Sequence, residues 1–173
     1  TAPELMGSVE NFKVFMKAVQ EVSPVPVRFD EISSGAKGYY SNTEKEIVIQ
    51  NGMSESQTMK TGIHEVTHAM LHDRDFMEEQ GEKKNQMTKE VEAESVAYTV
   101  CQYFGLDTSD YSFPYIAGWS SSMDMKELRT SMDTIRKTAG SFIDSMTEVI
   151  QRLMREQPEL SLSAMKQAEI LID

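Results

Sequence analysis

The chain has 173 residues, 39% hydrophobic and 26% charged, a composition suited to one globular domain with a real core. Its formal net charge of -11 repels a phosphate backbone, so direct nucleic-acid binding is not expected. No apolar run reaches the ~18 residues of a membrane span, and a single cysteine, Cys101, cannot form an internal disulfide, which points to a reducing cytoplasm.

In chain order, residues 3–22 carry Leu5, Val9, Phe12, Phe15, Met16 and Val19 at helical spacing, and Pro24 and Pro26 end that helix. VPVRFDEI (25–32) alternates as a half-buried strand does. GYYS (38–41) and EIVIQ (46–50) read as two further strands joined by the polar NTEK turn, so a small antiparallel sheet of about three strands is expected. Ser54 and Gln57 form a capping-box pattern that starts a helix running to about residue 72. A charged loop, DRDFMEEQGEKKNQ, precedes a second helix over about 88–104, closed by Gly105.

Pro114 suits the first turn of a short helix with Ile116 and Trp119. Leu128, Met132, Ile135, Ala139, Phe142, Met146, Val149 and Leu153 then repeat at steps of three and four. They mark a long amphipathic helix that Gly140 can bend. LSAMKQAEILI, after Pro158, reads as a last helix. The fold class is α+β, a single domain over 1–173 with its sheet and active-site helices at about 25–105 and a helical part at about 113–173. The thirteen methionines fall largely on apolar faces, as core residues. No secretory leader is read at the start. Thr1 in place of an initiator Met implies that the chain is a fragment of a longer protein.

All three histidines lie in HEVTHAMLH (64–72). In HExxH on a helix, positions i and i+4 share one face, so His64 and His68 can reach a single ion at ~2.0–2.1 Å. Glu65 points to the side, where it can take a proton from an activated water, the arrangement of a metal-assisted hydrolase. One zinc per chain is the expected cofactor. A catalytic zinc takes a third protein ligand. The pattern HExxHxxGxxH does not supply it, because Leu71 and Arg74 stand at the glycine and third-histidine positions. His72 therefore stays on the helix about 80° round from His64. It is expected to support a ligand or cap the helix C-terminus, where a partly positive imidazole is favoured.

The helix containing KEVEAESVAYTV is the source of the third ligand. Glu90 and Glu94 share a face, and if the helix returns antiparallel they lie level with His68 and His64. Either can be the ligand, with the other bonding a ligand histidine's second nitrogen. Glu92, rotated about 200° from Glu90, is expected on a solvated face. Tyr98 and Tyr115 are candidates for steadying a developing oxyanion.

GYYSNTEKEIVIQ…TGIHEVTHAMLH (38–72) resembles the ImmA/IrrE-type metallopeptidases. EVEAES and YIAGWSSSMDMKELRTSMDTIRKTA are similar to the metallopeptidase domain of ArdC-type antirestriction proteins and to LtrC-like proteins of conjugative elements. The likeness covers about residues 38–145. It implies a zincin-like fold of the gluzincin kind, with EIVIQ as a candidate edge for an extended peptide or protein substrate. It also implies His64, His68 and Glu90 as metal ligands, Glu65 as general base and Glu94 as the supporting carboxylate. The competing expectation is a zinc-stabilised interaction module, without turnover, in an antirestriction or conjugation protein.

Overall fold

The structure is a computed structural model that describes residues 9–109, 111, 113 and 116–156. The expected helical turns at 3–8 with Leu5, the residues Pro114 and Tyr115, and the expected helix after Pro158 lie outside the described residues. The elements run α1 (Val9–Val22), β1 (Val27–Asp30), β2 (Gly38–Ser41), β3 (Glu46–Gln50), α2 (Glu55–Leu71), α3 (Arg74–Gln80), α4 (Gln86–Tyr103), α5 (Ile116–Ser121) and α6 (Met125–Glu156). The class is α+β, as the sequence reads. Among the described residues no helix is long and apolar enough to cross a membrane.

The sheet is mixed rather than antiparallel. Its order is β1-β3-β2, with β2 antiparallel to β3 (Ser41 opposite Glu46) and β1 parallel to β3 (Val27 opposite Ile47). The hairpin formed by β2 and β3 inserts β3 between β1 and β2, so strands consecutive in sequence are not all neighbours. EIVIQ is consequently the central strand and offers no edge. Central position explains its unbroken apolar run, since Ile47, Val48 and Ile49 are all buried. The free edges belong to β1 and β2.

The sheet packs on α2, which α1 and α4 also cover. Ser54 caps α2 by accepting from the Gln57 backbone N–H at 3.1 Å. The Gln57 side chain does not reach back to complete a capping box. It accepts from Lys37 Nζ, just before β2, at 3.2 Å and donates to Thr61 Oγ1, one turn further along α2, at 3.2 Å. Part of the expected charged loop is helical. Asp73 caps α3 through the Phe76 N–H, Met77 buries inward, and Gly81 ends the helix in the left-handed region at φ 67°. Charge density here concealed a short helix whose polar residues face water.

The core joins Phe15 and Val19 of α1, Ile47 and Ile49 of β3, Ile63 and Val66 of α2, Val96 and Val100 of α4, and Phe142, Met146 and Ile150 of α6. The long helix α6 runs unbroken through Gly140. Near its start the buried position is Ser131 rather than Met132, which is 58% exposed. The inward stripe is offset by one residue there because Ser131 is hydrogen-bonded to a buried carboxylate of α4. On the other side, α5 is tied to the first turn of α4 by Trp119 Nε1 donating to Thr88 Oγ1 at 3.0 Å.

β2 comes close to α2 at Gly38. A Cβ there would stand 2.6 Å from Thr61 Cγ2 and 3.1 Å from the Val48 carbonyl oxygen. Only the missing side chain lets β2 lie directly on the helix turn that bears Glu65. Gly38→Ala is expected to destabilise the fold by about 1–3 kcal/mol through overpacking, as read by urea denaturation; an unchanged midpoint would show that β2 is not pressed on α2.

Candidate metal centre

His64 and His68 lie one turn apart on the face of α2 that meets α4. Their Nε2 atoms are 3.1 Å apart. Glu90, in the second turn of α4, places Oε1 3.1 Å from His68 Nε2 and Oε2 3.6 Å from His64 Nε2. Three donors bound tetrahedrally at ~2.0–2.1 Å to one ion stand about 3.3 Å from one another. The separation of the two Nε2 atoms matches that requirement, Glu90 approaches one of them with each of its oxygens, and His64, His68 and Glu90 form a group that could hold a metal ion. Two imidazoles and a carboxylate suit a borderline ion of the zinc type.

Glu94, one turn further along α4, sits on the other side of His64, with Oε1 2.7 Å from Nδ1. The approach is angled rather than along the N–H direction. The two carboxylates left equivalent by spacing are thus separated by helix stagger: Glu90 meets both Nε2 atoms and Glu94 meets Nδ1. Burial works against charge on His64, but the Glu90 and Glu94 carboxylates outweigh it and push the imidazole up to about 10. The same contacts with His64 and His68 hold the Glu90 carboxyl well below the usual carboxylate range.

Glu65 is 8% exposed. Burial pushes its carboxyl up, against the nearby charges of His64 and His68, and the Tyr40 backbone N–H offsets part of the rise. A cleft of about 450 Å³ opens on one side of the cluster, walled by Lys37, Gln57, Lys60 and Tyr111. A second opens on the other side, walled by Tyr39, Tyr40, Asn42, Gln86 and Lys89. Gly38, His64, Glu65 and Glu90 line both, so the two clefts meet at the cluster. Lys60 lies over the Tyr111 ring, 5.5 Å from its centroid. Tyr98 lines neither cleft; its ring packs on Tyr111 and Phe113 and its hydroxyl accepts from Gln102.

His72 caps α2 with its backbone, the N–H donating to the His68 carbonyl at 2.8 Å. Its imidazole is buried, with Nδ1 2.8 Å from His68 Nδ1 and Nε2 2.8 Å from Glu92 Oε1. Burial pushes this imidazole down, more than the Glu92 contact raises it, so the partly positive ring expected at a helix end is not what the site holds. Glu92 is not on a solvated face: it is fully buried, because α6 covers the side of α4 that faces away from Glu90. Sequence reasoning missed it. The available signal was the apolar setting of Val91, Ala93, Val96 and Ala97, which leaves α4 with little room for a wet face.

One wall of the second cleft is fixed by a clamp. Tyr40 donates its hydroxyl to Asp73 Oδ1 at 2.5 Å, and Lys45 reaches Asp73 at 2.6 Å and Asp75 at 2.7 Å. Desolvation opposes ionisation of Asp73, but Lys45, Tyr40 and the Phe76 N–H bring it down to about 2. Desolvation and the Asp73 carboxylate push the Tyr40 hydroxyl up to about 12.

No protein-family model matches the chain, and no solved structure matches it. It is similar to the Bacillus anthracis protein described as "Uncharacterized protein pXO2-81", 35% identical over 113 residues. That match spans 65% of this chain and 18% of the relative, so the matched residues correspond to less than a fifth of that protein's length.

The clamp generates a pH-dependent prediction. Asp73→Ala is expected to cost about 1–2 kcal/mol, mostly the lost α3 cap, because the Lys45 pair is screened by solvent. The folded Asp73 titrates at about 2, below the ordinary 3.8, so the stabilisation from its ionised form is complete above about pH 4 and vanishes as pH falls through about 2. Urea denaturation of wild type and variant should show the gap between them narrowing across that window; a gap independent of pH would contradict it.

Proposed function

We propose that the chain is a zinc-dependent, metallopeptidase-like hydrolase domain of the gluzincin kind, from an antirestriction-related or mobile-element protein. The observation that carries this reading is the set of three donors that could hold one ion, with a buried Glu65 beside them and open cleft on both sides. His64, His68 and Glu90 would hold the ion. Zinc, when bound, would supply a Lewis acid that polarises a peptide carbonyl and acidifies water.

Glu65 would take a proton from the attacking water and return it to the departing amine nitrogen. Its burial favours that role, since a carboxylate whose proton affinity is raised is a stronger base toward the attacking water. Glu94 would steady the His64 ring from its Nδ1 side. The free edge of β2, whose Gly38, Tyr39 and Tyr40 line the clefts, offers backbone groups to an extended peptide. Against a purely structural zinc module stand the three, rather than four, protein donors among the described residues and the clefts that meet at them.

Glu65→Gln is expected to retain one zinc per chain by elemental analysis while losing about 10²- to 10⁴-fold in peptide hydrolysis, measured on a quenched-fluorescent peptide library. Equal hydrolysis by the two proteins overturns the role of Glu65. Full zinc with no cleavage by wild type favours the interaction module.

A further inference from the structure

Behind the candidate ligands, a second line of polar groups runs through the interior from α2 to α6. Glu92 is 0% exposed, yet every oxygen it presents is engaged. Its Oε2 accepts from Ser131 Oγ of α6 at 2.6 Å. Its Oε1 accepts from Lys84 Nζ at 2.8 Å and lies 2.8 Å from His72 Nε2. The other ring nitrogen of His72 lies 2.8 Å from His68 Nδ1.

Hydrogen-bond chemistry orders this chain in one direction. A carboxylate only accepts, so the proton between Glu92 and His72 belongs to His72 Nε2. The 2.8 Å contact between the two Nδ1 atoms needs one proton between the rings, and a His72 ring protonated on Nε2 alone accepts it there. His68 accordingly carries a proton on Nδ1, so Nε2, the nitrogen that faces Glu90 and His64, is the one available to an ion. If Glu92 donated instead, each proton would shift along the chain and His68 Nε2 would be blocked by hydrogen.

We propose that Glu92 is a positioning residue for the metal centre: through His72 it fixes the His68 tautomer and ring orientation, and through Ser131 and Lys84 it anchors that centre to α6 and to the segment before α4. The proposal rests on His68 being a ligand through Nε2, as the preceding reading has it. Glu92 touches neither substrate nor ion and acts only through His72. The two donors on Oε1 make a sharp distinction between substitutions. A glutamine at 92 keeps its carbonyl oxygen where Lys84 and His72 both donate and turns its amide toward Ser131, so the tautomer order survives. A methionine keeps the volume and supplies no acceptor. Lys84 retains Glu82, 3.2 Å away, in either case.

The test compares wild type, Glu92→Gln and Glu92→Met as full chains, with folding checked by circular dichroism. Zinc affinity is measured by competition with a chromogenic chelator, and the tautomer of His72 by nitrogen-15 shifts of the chain without added zinc. Glu92→Met is expected to bind zinc about 10- to 100-fold more weakly than wild type, and Glu92→Gln within about threefold of it. In wild type His72 should carry its proton on Nε2. Equal losses in both variants, no loss in either, or a larger loss in Glu92→Gln overturns the proposal. If Glu92→Met does not fold, the wild-type tautomer decides: a His72 proton on Nδ1 overturns the relay. Wild type that binds no zinc refutes the metal-centre reading, while the tautomer still judges the relay independently.

Discussion

The arrangement depends on α4 being buried along two opposed faces. Residues 90 and 94 share one side of that helix and residue 92 lies about 200° round from Glu90, so α4 directs carboxylates both toward α2 and toward α6. A glutamate taken fully out of water costs several kcal/mol unless its oxygens are satisfied. That cost constrains the neighbours. Residue 131 of α6 is a small donor within a stripe otherwise made of Ala139, Phe142, Met146 and Ile150. The segment before α4 folds Lys84 inward, and α2 ends where His72 can reach across. The same buried carboxylate thus meets α6, the segment before α4 and the end of α2.

On the opposite face of α4, three carboxylates converge on two imidazoles, and their surroundings drive them apart. Glu90 is held ionised by contact with both rings. Glu65, one residue from a ligand position but enclosed by β2 and α2, is pushed toward the neutral form. Titratable groups whose environments push them in opposite directions are the usual sign of divided labour between charge stabilisation and proton transfer. The division follows from packing: the Gly38 approach that closes β2 over α2 also desolvates Glu65.

Much of this was legible locally and little of it globally. The Ser54 cap, the hairpin between Gly38 and Gln50, the HExxH face and the pairing of Glu90 with Glu94 on one face each arise from residues within a few positions of one another. The partner of β1 was not legible, because a strand's own alternation does not say which neighbour it will join, and the parallel contact with β3 forms across the hairpin. Glu92 was misread for a related reason. Periodicity states which residues share a face but not what covers that face, and α6, which covers it, begins more than thirty residues later. The choice between Glu90 and Glu94 turned on the axial stagger of two helices, which spacing on one helix cannot fix.

His72 and Asp73 bring these threads together at one corner of the molecule. The first caps α2 with its backbone and joins His68 to Glu92 with its ring. The second caps α3 and holds Tyr40 of the cleft wall. Ligand orientation and wall position therefore share a single two-residue pivot where α2 stops. A shift of that pivot would move the His68 ring and the β2 edge together, whereas a shift of α6 reaches His68 through α4, by way of Glu92 and Glu90. The end of one helix thus joins the cluster of His64, His68 and Glu90 to the β2 wall of the cleft beside it.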